Sequence, residues 1–244
     1  MAPPTRTPPS KWIDEALRAL AAGGPDAVRV EALARALGVT KGGFYNHFDD
    51  RPALIEEMLD TWERIGVDQV IERVEADGGD ARSKLRRIFA VTSAARSLVK
   101  IELAVREWAR HDRAVARRLR RVDNRRADYL RSLLGAFIAD EREVELRCLI
   151  ALPLFVGVHS GTADHGPHRR GDLHKQAWER LLERVEPRCA GELSEITGPS
   201  AAVGQAHRTP RERRHIASAP RQRDRPRRTR RNEPWIERLR CDRA

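Results

Sequence analysis

From Thr40 to His47 the chain reads Thr-Lys-Gly-Gly-Phe-Tyr-Asn-His, so a hydroxyl, an ammonium, a phenol, an amide and an imidazole fall within one short stretch. Thr40 stands where an N-cap would, and the free backbone N–H groups after it present partial positive charge to a phosphate. Lys41 reaches a phosphate or a guanine edge. Tyr45 offers its hydroxyl to a flanking phosphate, while His47, about 200° further around a helix axis, serves another strand or face. Asn46 is the side chain best suited to bidentate adenine readout. The chemistry is that of gripping a nucleic-acid duplex and reading it.

Those groups need elements to aim them. From Val30 to Phe48 the sequence VEALARALGVTKGGFYNHF has the spacing of a helix-turn-helix: Ala34 packs against the motif's second helix, Gly38 makes the turn, and Val39 plugs the gap beneath. Phe44 is expected to face inward, wedging the third helix onto the first. Gly42 and Gly43 cost about 1 kcal/mol each relative to alanine in so short a helix. Two compensations are open: close approach of the backbone to DNA, or tight packing on helix two.

Apolar spacing predicts helices elsewhere too, and nothing alternates as a strand does. Helix one runs from a Ser10 cap through Trp12, Ile13, Ala16, Leu17 and Leu20 to Gly23-Gly24-Pro25; helix two covers about 30–37, and a third, capped by Thr40, ends near Phe48. Asp49 or Asp50 then caps a long fourth helix that stops at Gly78-Gly79. Further helices are predicted at about 80–96, 98–110, 113–134, 141–162 and 172–187, the penultimate one opened by Asp140 and Glu143 as a capping box. The expected fold is all-α, with about nine helices. Its expected parts are a flexible arm (1–9), a helix-turn-helix domain (10–55), a larger helical domain (56–196) and a disordered tail (197–244).

Charge separates the tail from the body. Of a net +11, residues 197–244 supply +9, from 14 Arg against 5 acids, with five prolines and few apolar residues. The tail is either an arm that follows phosphates or an inert extension. The longest apolar run, 149–158, contains Pro153 and is half the length needed to span a bilayer. No export signal precedes Trp12, so the cytoplasm is the expected compartment. Cys148, Cys189 and Cys241 are an odd, scattered set, which argues for reduced thiols.

The motif resembles the tetracycline-repressor (TetR) family. Its carriers are Ala16 and Gly24, then LARALGVTKGGFYNHF, then Asp50-Arg51-Pro52-Ala53-Leu54. The strong match spans 12–58, and a weaker one continues in ELAVREWARHD (102–112) and VDNRRADYL (122–130). The resemblance implies a transcriptional regulator, typically a repressor, held as a homodimer on a palindromic site in double-stranded DNA and released by a small-molecule effector. The expected DNA contacts are Thr40, Lys41, Gly42, Gly43, Tyr45, Asn46, His47 and Arg51, the last standing where the family usually has lysine and clamping the backbone. Val30 and Glu31 replace hydroxyl or basic groups of many relatives, so helix two is expected to contribute less.

The resemblance also places the dimer on the last two body helices. Their apolar stripes offer Val144, Cys148, Leu152 and Phe155, then Leu173, Ala177, Trp178, Leu181 and Val185. The effector would sit between the four helices predicted from 80 to 162, shifting the population toward a state in which helix four splays the reading heads. Pro153 either kinks its helix to open that pocket or bends it for packing.

Other constellations are weaker. His159, Asp164, His165, His168 and His174 straddle Gly166-Pro167 and read as a polar turn, so neither a metal nor a cofactor is expected. Trp108 and Arg106 share a stripe with Ile101 and Val105, and Trp108 reads as packing. Gly157-Val158-His159-Ser160-Gly161 misplaces its serine for a nucleophile elbow, and no phosphate-binding or dinucleotide fingerprint occurs, so an enzyme is not expected. Two rival readings stay open: a non-specific nucleic-acid binder driven by the tail, and an all-α enzyme or metal protein.

Overall fold

The computed structural model describes residues 7–160 and 163–183. Val185, Cys189, Cys241 and the tail at 197–244 lie outside them, as do the first six residues of the arm. Every regular element among the described residues is helical. Helix α1 (Pro9–Gly23) begins one residue before the predicted Ser10 cap: Pro8 is its N-cap, and Pro9 takes the first turn, where a missing N–H costs nothing. Trp12, Ile13, Ala16, Leu17 and Leu20 are buried along one face. Gly24 closes the helix at φ 71°, its N–H 2.9 Å from the Leu20 carbonyl.

A 3-10 turn (Pro25–Ala27) leads to α2 (Val30–Ala36) and, past Gly38 at φ 67°, to α3 (Lys41–Tyr45). The Val39 N–H closes the turn on the Ala34 carbonyl at 2.9 Å. Helix α3 is shorter than predicted: it ends at Tyr45, a turn covers Asn46 and His47, and Phe48 beyond it stacks on Phe44 with ring centroids 5.2 Å apart. Helix α4 (Arg51–Glu63) starts at Asp50, whose carboxylate accepts the Ala53 N–H at 2.8 Å.

The fourth helix does run on to Gly78, but not as a regular one. A π turn (Arg64–Asp68) joins α4 to α5 (Gln69–Ala76). It buries both Ile65 and Val67, which a regular helix would hold about 200° apart. Its Gly66 lies under Arg126: a Cβ there would sit 2.8 Å from the Arg126 Nη2. Four more helices with the predicted positions follow, α6 (Ala81–Ala94), α7 (Arg96–Ala109), α8 (Arg113–Gly135) and α9 (Glu141–Ser160), and then α10 (Arg170–Leu182). Counting α4, the π turn and α5 as one rod, the described residues form nine helices.

Asp140 caps α9 through the Arg142 N–H at 2.9 Å, yet the predicted capping box does not close. The Glu143 carboxylate instead accepts from Arg147 at 2.7 Å. Arg147, buried, also donates to the carbonyls of Leu181 (2.6 Å) and Glu183 (2.7 Å), and so ties the end of α10 to α9.

Two apolar clusters organise these helices. The first joins Trp12, Leu20, Leu33, Phe44 and Leu54 to Ile101 and Val105 of α7 and Val115 and Val122 of α8. The helix-turn-helix is therefore packed onto the longer helices and shares their core. The second gathers Leu85, Leu130, Leu134, Cys148, Ala151 and Trp178 around α8, α9 and α10. Burial pushes the Cys148 thiol up to about 11, which keeps it protonated and inert.

One charged group is almost fully enclosed. Glu102 on α7, 2% exposed, accepts from Arg126 (2.9 and 3.1 Å), Arg106 (2.9 Å) and the Trp62 indole (3.2 Å). Arg106 also holds Asp123. Burial alone would raise the Glu102 pKa, but the charges and hydrogen bonds of Arg126 and Arg106 outweigh it and hold the carboxyl below its ordinary value. Among the described residues no helix is long and apolar enough to cross a membrane.

Candidate nucleic-acid interface

Helix α3 is held from beneath by aromatic rings. Phe44, fully buried, meets Trp12 edge-on at 5.5 Å and an interplanar angle of 71°, and Phe48 stacks on its other side. With Phe44 directed inward, the helical period turns Gly42, Tyr45 and Asn46 outward, and these three and Lys41 in the first turn are exposed. Tyr45 is 55% exposed although its ring edge rests on Phe44 at 5.2 Å. Its hydroxyl is thus offered to solvent on a rigid mount. His47 is half-buried beside Phe48, off the outward face.

Thr40 occupies the N-cap position, but its hydroxyl makes no capping bond. Lys41 lies 2.5 Å from the Glu31 carboxylate, and the contact raises the Lys41 pKa and lowers that of Glu31, the hydrogen bond contributing most. The cation expected to reach DNA therefore has an acidic neighbour on α2.

Neither glycine is demanded by the chain's own packing. A Cβ at Gly42 would meet only the Thr40 Oγ1 at 3.7 Å, and one at Gly43 only a Trp12 ring carbon at 3.8 Å, both ordinary contacts. The nearest neighbours belong to the turn and to α1, so tight packing on α2 does not account for them.

Arg51 is committed within the chain. Its Nε donates to the Val28 carbonyl and its Nη2 to the Pro25 carbonyl, each at 2.6 Å. Its guanidinium thus fixes α4 to the loop between α1 and α2, a tie between residues 26 positions apart that local periodicity does not reveal.

The stripes expected at a dimer interface are largely used inside the chain. Val144, Cys148 and Trp178 are buried in the second cluster, and Leu152 and Phe155 face an internal cavity. Leu173, Ala177 and Leu181 are half-buried on α10. Among the described side chains, the large apolar ones that α9 leaves exposed are Leu146, Leu149 and Ile150, with Leu149 70% exposed.

The cavity, about 80 Å³, lies between α6, α8, α9, α10 and the π turn with α5. Helix α7 lines no part of it. Its walls include Val67, Phe89, Leu130, Ala151, Phe155 and Trp178. Pro153 points away to solvent, so its ring does not shape this space. Trp108 is half-buried against the first cluster, and Arg106 is held by Glu102 and Asp123. His174 lies buried 4.8 Å from the Phe89 ring, whereas His165 and His168 are exposed; among the described residues no three metal-ligating side chains gather.

Residues 13–58 match the model of the bacterial regulatory proteins, tetR family. Among curated proteins none matches the chain. Solved structures share its fold at low identity. A chain described as a transcriptional regulator of Saccharomonospora viridis, in complex with choline, is 15% identical with a TM-score of 0.58, over 71% of this chain and 94% of that one. The regulator FadR of Bacillus subtilis, in complex with stearoyl-CoA, is 15% identical with a TM-score of 0.54, over 72% and 99%. A chain described as a TetR-family transcriptional regulator of a Rhodococcus species is 21% identical with a TM-score of 0.52, over 71% and 96%.

Proposed function

Because this chain belongs, through its N-terminal domain, to the tetR family of bacterial regulatory proteins, we propose that it is a ligand-responsive repressor. It binds a palindromic operator as a homodimer, with α3 of each copy in the major groove. The observation that carries this reading is the exposed row Lys41, Gly42, Tyr45 and Asn46, mounted on the buried Phe44. Lys41 and Tyr45 take phosphates, Asn46 reads an adenine edge, and Gly42 lets the backbone approach. Arg51 contributes by holding α4 rather than by touching DNA, and the half-buried His47 contributes at the margin. Exchange of Glu31 for phosphate releases Lys41 on binding.

Gel shifts on the DNA upstream of the chain's own gene test it. Tyr45→Phe should weaken binding about equally on cognate and random DNA, as loss of a phosphate contact does. Asn46→Ala should cost about 1–3 kcal/mol on the cognate site alone and relax preference at one position per half-site. Equal losses on both DNAs for Asn46→Ala would remove it from base readout and favour the non-specific reading.

Gly42→Ala separates the two accounts of the glycines. On propensity it should stabilise the folded chain, by up to about 1 kcal/mol, while weakening operator binding several-fold. A variant that melts higher and binds DNA undiminished would show that the backbone at residue 42 does not approach the duplex.

Dimerisation, in this reading, uses the outward stripe of α9 together with the half-buried face of α10. Leu149→Arg places a charge at an exposed position, so the protomer should fold normally and sediment as a monomer that no longer holds the palindrome. An intact dimer would move the interface elsewhere. The effector occupies the cavity between α6, α8, α9 and α10; the choline and stearoyl-CoA complexes of two regulators with this fold support a small-molecule site without naming the ligand here.

A further inference from the structure

We propose that the cavity takes an uncharged, largely apolar small molecule that delivers one hydrogen-bond acceptor to the indole N–H of Trp178; this rests on the effector reading above. Its wall is mainly hydrocarbon and aromatic ring, with the Arg126 guanidinium as its permanent charge and the His174 imidazole also on it. That guanidinium is already committed, with two bonds to Glu102 and one, at 3.3 Å, to the Gly66 carbonyl. Glu102 and Asp123 balance Arg106 and Arg126, so the quartet carries no net charge. An anion would bring a further negative charge beside Glu102, which is 2% exposed and already held by Arg126, Arg106 and the Trp62 indole. A cation would meet Arg126, which also stands 6.0 Å from the Phe155 ring, where a cation would otherwise seek its aromatic face.

The two hydroxyls on the wall are also satisfied, whereas the indole N–H of Trp178 is not. The Thr92 hydroxyl donates to the Ile88 carbonyl at 2.8 Å, and the Tyr129 phenol donates to Glu75 at 2.6 Å. Trp178 is 5% exposed, and its Nε1–H is buried with no acceptor among the described residues. An N–H kept from water without a partner is costly, and an acceptor carried in by a ligand removes that cost. Size points the same way. An engineered cavity that admits benzene measures about 150 Å³, roughly twice the volume here, so a ligand must part half-buried side chains such as Leu152 and Phe155. An apolar body does this without desolvating a charge of its own.

Isothermal titration of the full-length chain with benzyl alcohol, toluene, benzoate and benzylammonium tests this, because the four share one ring and differ in charge and acceptor. Benzyl alcohol should saturate one site per chain at least tenfold more tightly than either ion. It should bind about fivefold more tightly than toluene, the value of one neutral hydrogen bond. Trp178→Phe should erase that advantage while toluene still binds, which reports an intact cavity. Equal affinities for benzyl alcohol and toluene in the unaltered chain would overturn the hydrogen bond. Benzoate or benzylammonium binding as tightly as benzyl alcohol would overturn the ligand class and leave the cavity as an effector site. No binding of any of the four would overturn the class and the effector reading together, with the Asn46 test of DNA recognition unaffected.

Discussion

Phe44→Ala should abolish operator binding and destabilise the chain by about 3–5 kcal/mol, the usual cost of emptying a buried phenylalanine site. The side chain is fully buried between Trp12 and Phe48, and the same ring supports Tyr45. Its loss leaves a gap where α3 rests on α1. Domains are commonly stable by only about 5–15 kcal/mol, so a large share of the total rides on one ring. Denaturant unfolding followed by fluorescence gives the stability, and gel shifts the affinity. A variant with unchanged unfolding midpoint and intact binding would show that Trp12 and Phe48 close the gap unaided.

Glu102→Ala should cost a comparable amount, about 3–5 kcal/mol, because removing one partner of a buried ion cluster strands the others. Arg126 would keep Asp123 at 3.5 Å and lose its principal counter-charge, and the Trp62 indole would lose its acceptor. The folded pKa of Glu102 lies below its ordinary 4.5, so the ionised group contributes stability that is fully present above that value and is lost as pH falls through the folded one. Glu102→Gln removes this titrating group. Its unfolding midpoint should therefore fall less between pH 7 and the acid range than that of the unaltered chain. Parallel pH profiles would show that other carboxylates account for the acid response.

Much of the reading head was legible in the sequence because its determinants are local. The spacing of Trp12, Ala16 and Leu20, the glycine at 38 and the inward Phe44 each follow from periodicity or backbone freedom within a few residues. Long-range commitments were not legible. Arg51 looks like a free cation in sequence, yet two carbonyls more than twenty residues away take its donors. The same holds for Arg126 with Glu102, and for the π turn that Arg126 covers. Helix α9 was ambiguous for another reason: it is apolar on two sides, with Val144 and Cys148 inward and Leu146 and Leu149 outward. Periodicity finds both stripes and does not say which one the chain keeps for itself.

The two carbonyl bonds of Arg51 make the first turn of α4 and the loop at Pro25–Val28 one solid piece with the reading head. Seen from the π turn, α4 is then a lever arm: thirteen residues at 1.5 Å each give about 20 Å between pivot and head. Tilting that arm by roughly 5° sweeps its far end through nearly 2 Å, more than the tolerance of a side chain's hydrogen bond to a base edge. In a symmetric pair the two sweeps would add, so a small angular change about the π turn would put both heads out of step with a palindrome.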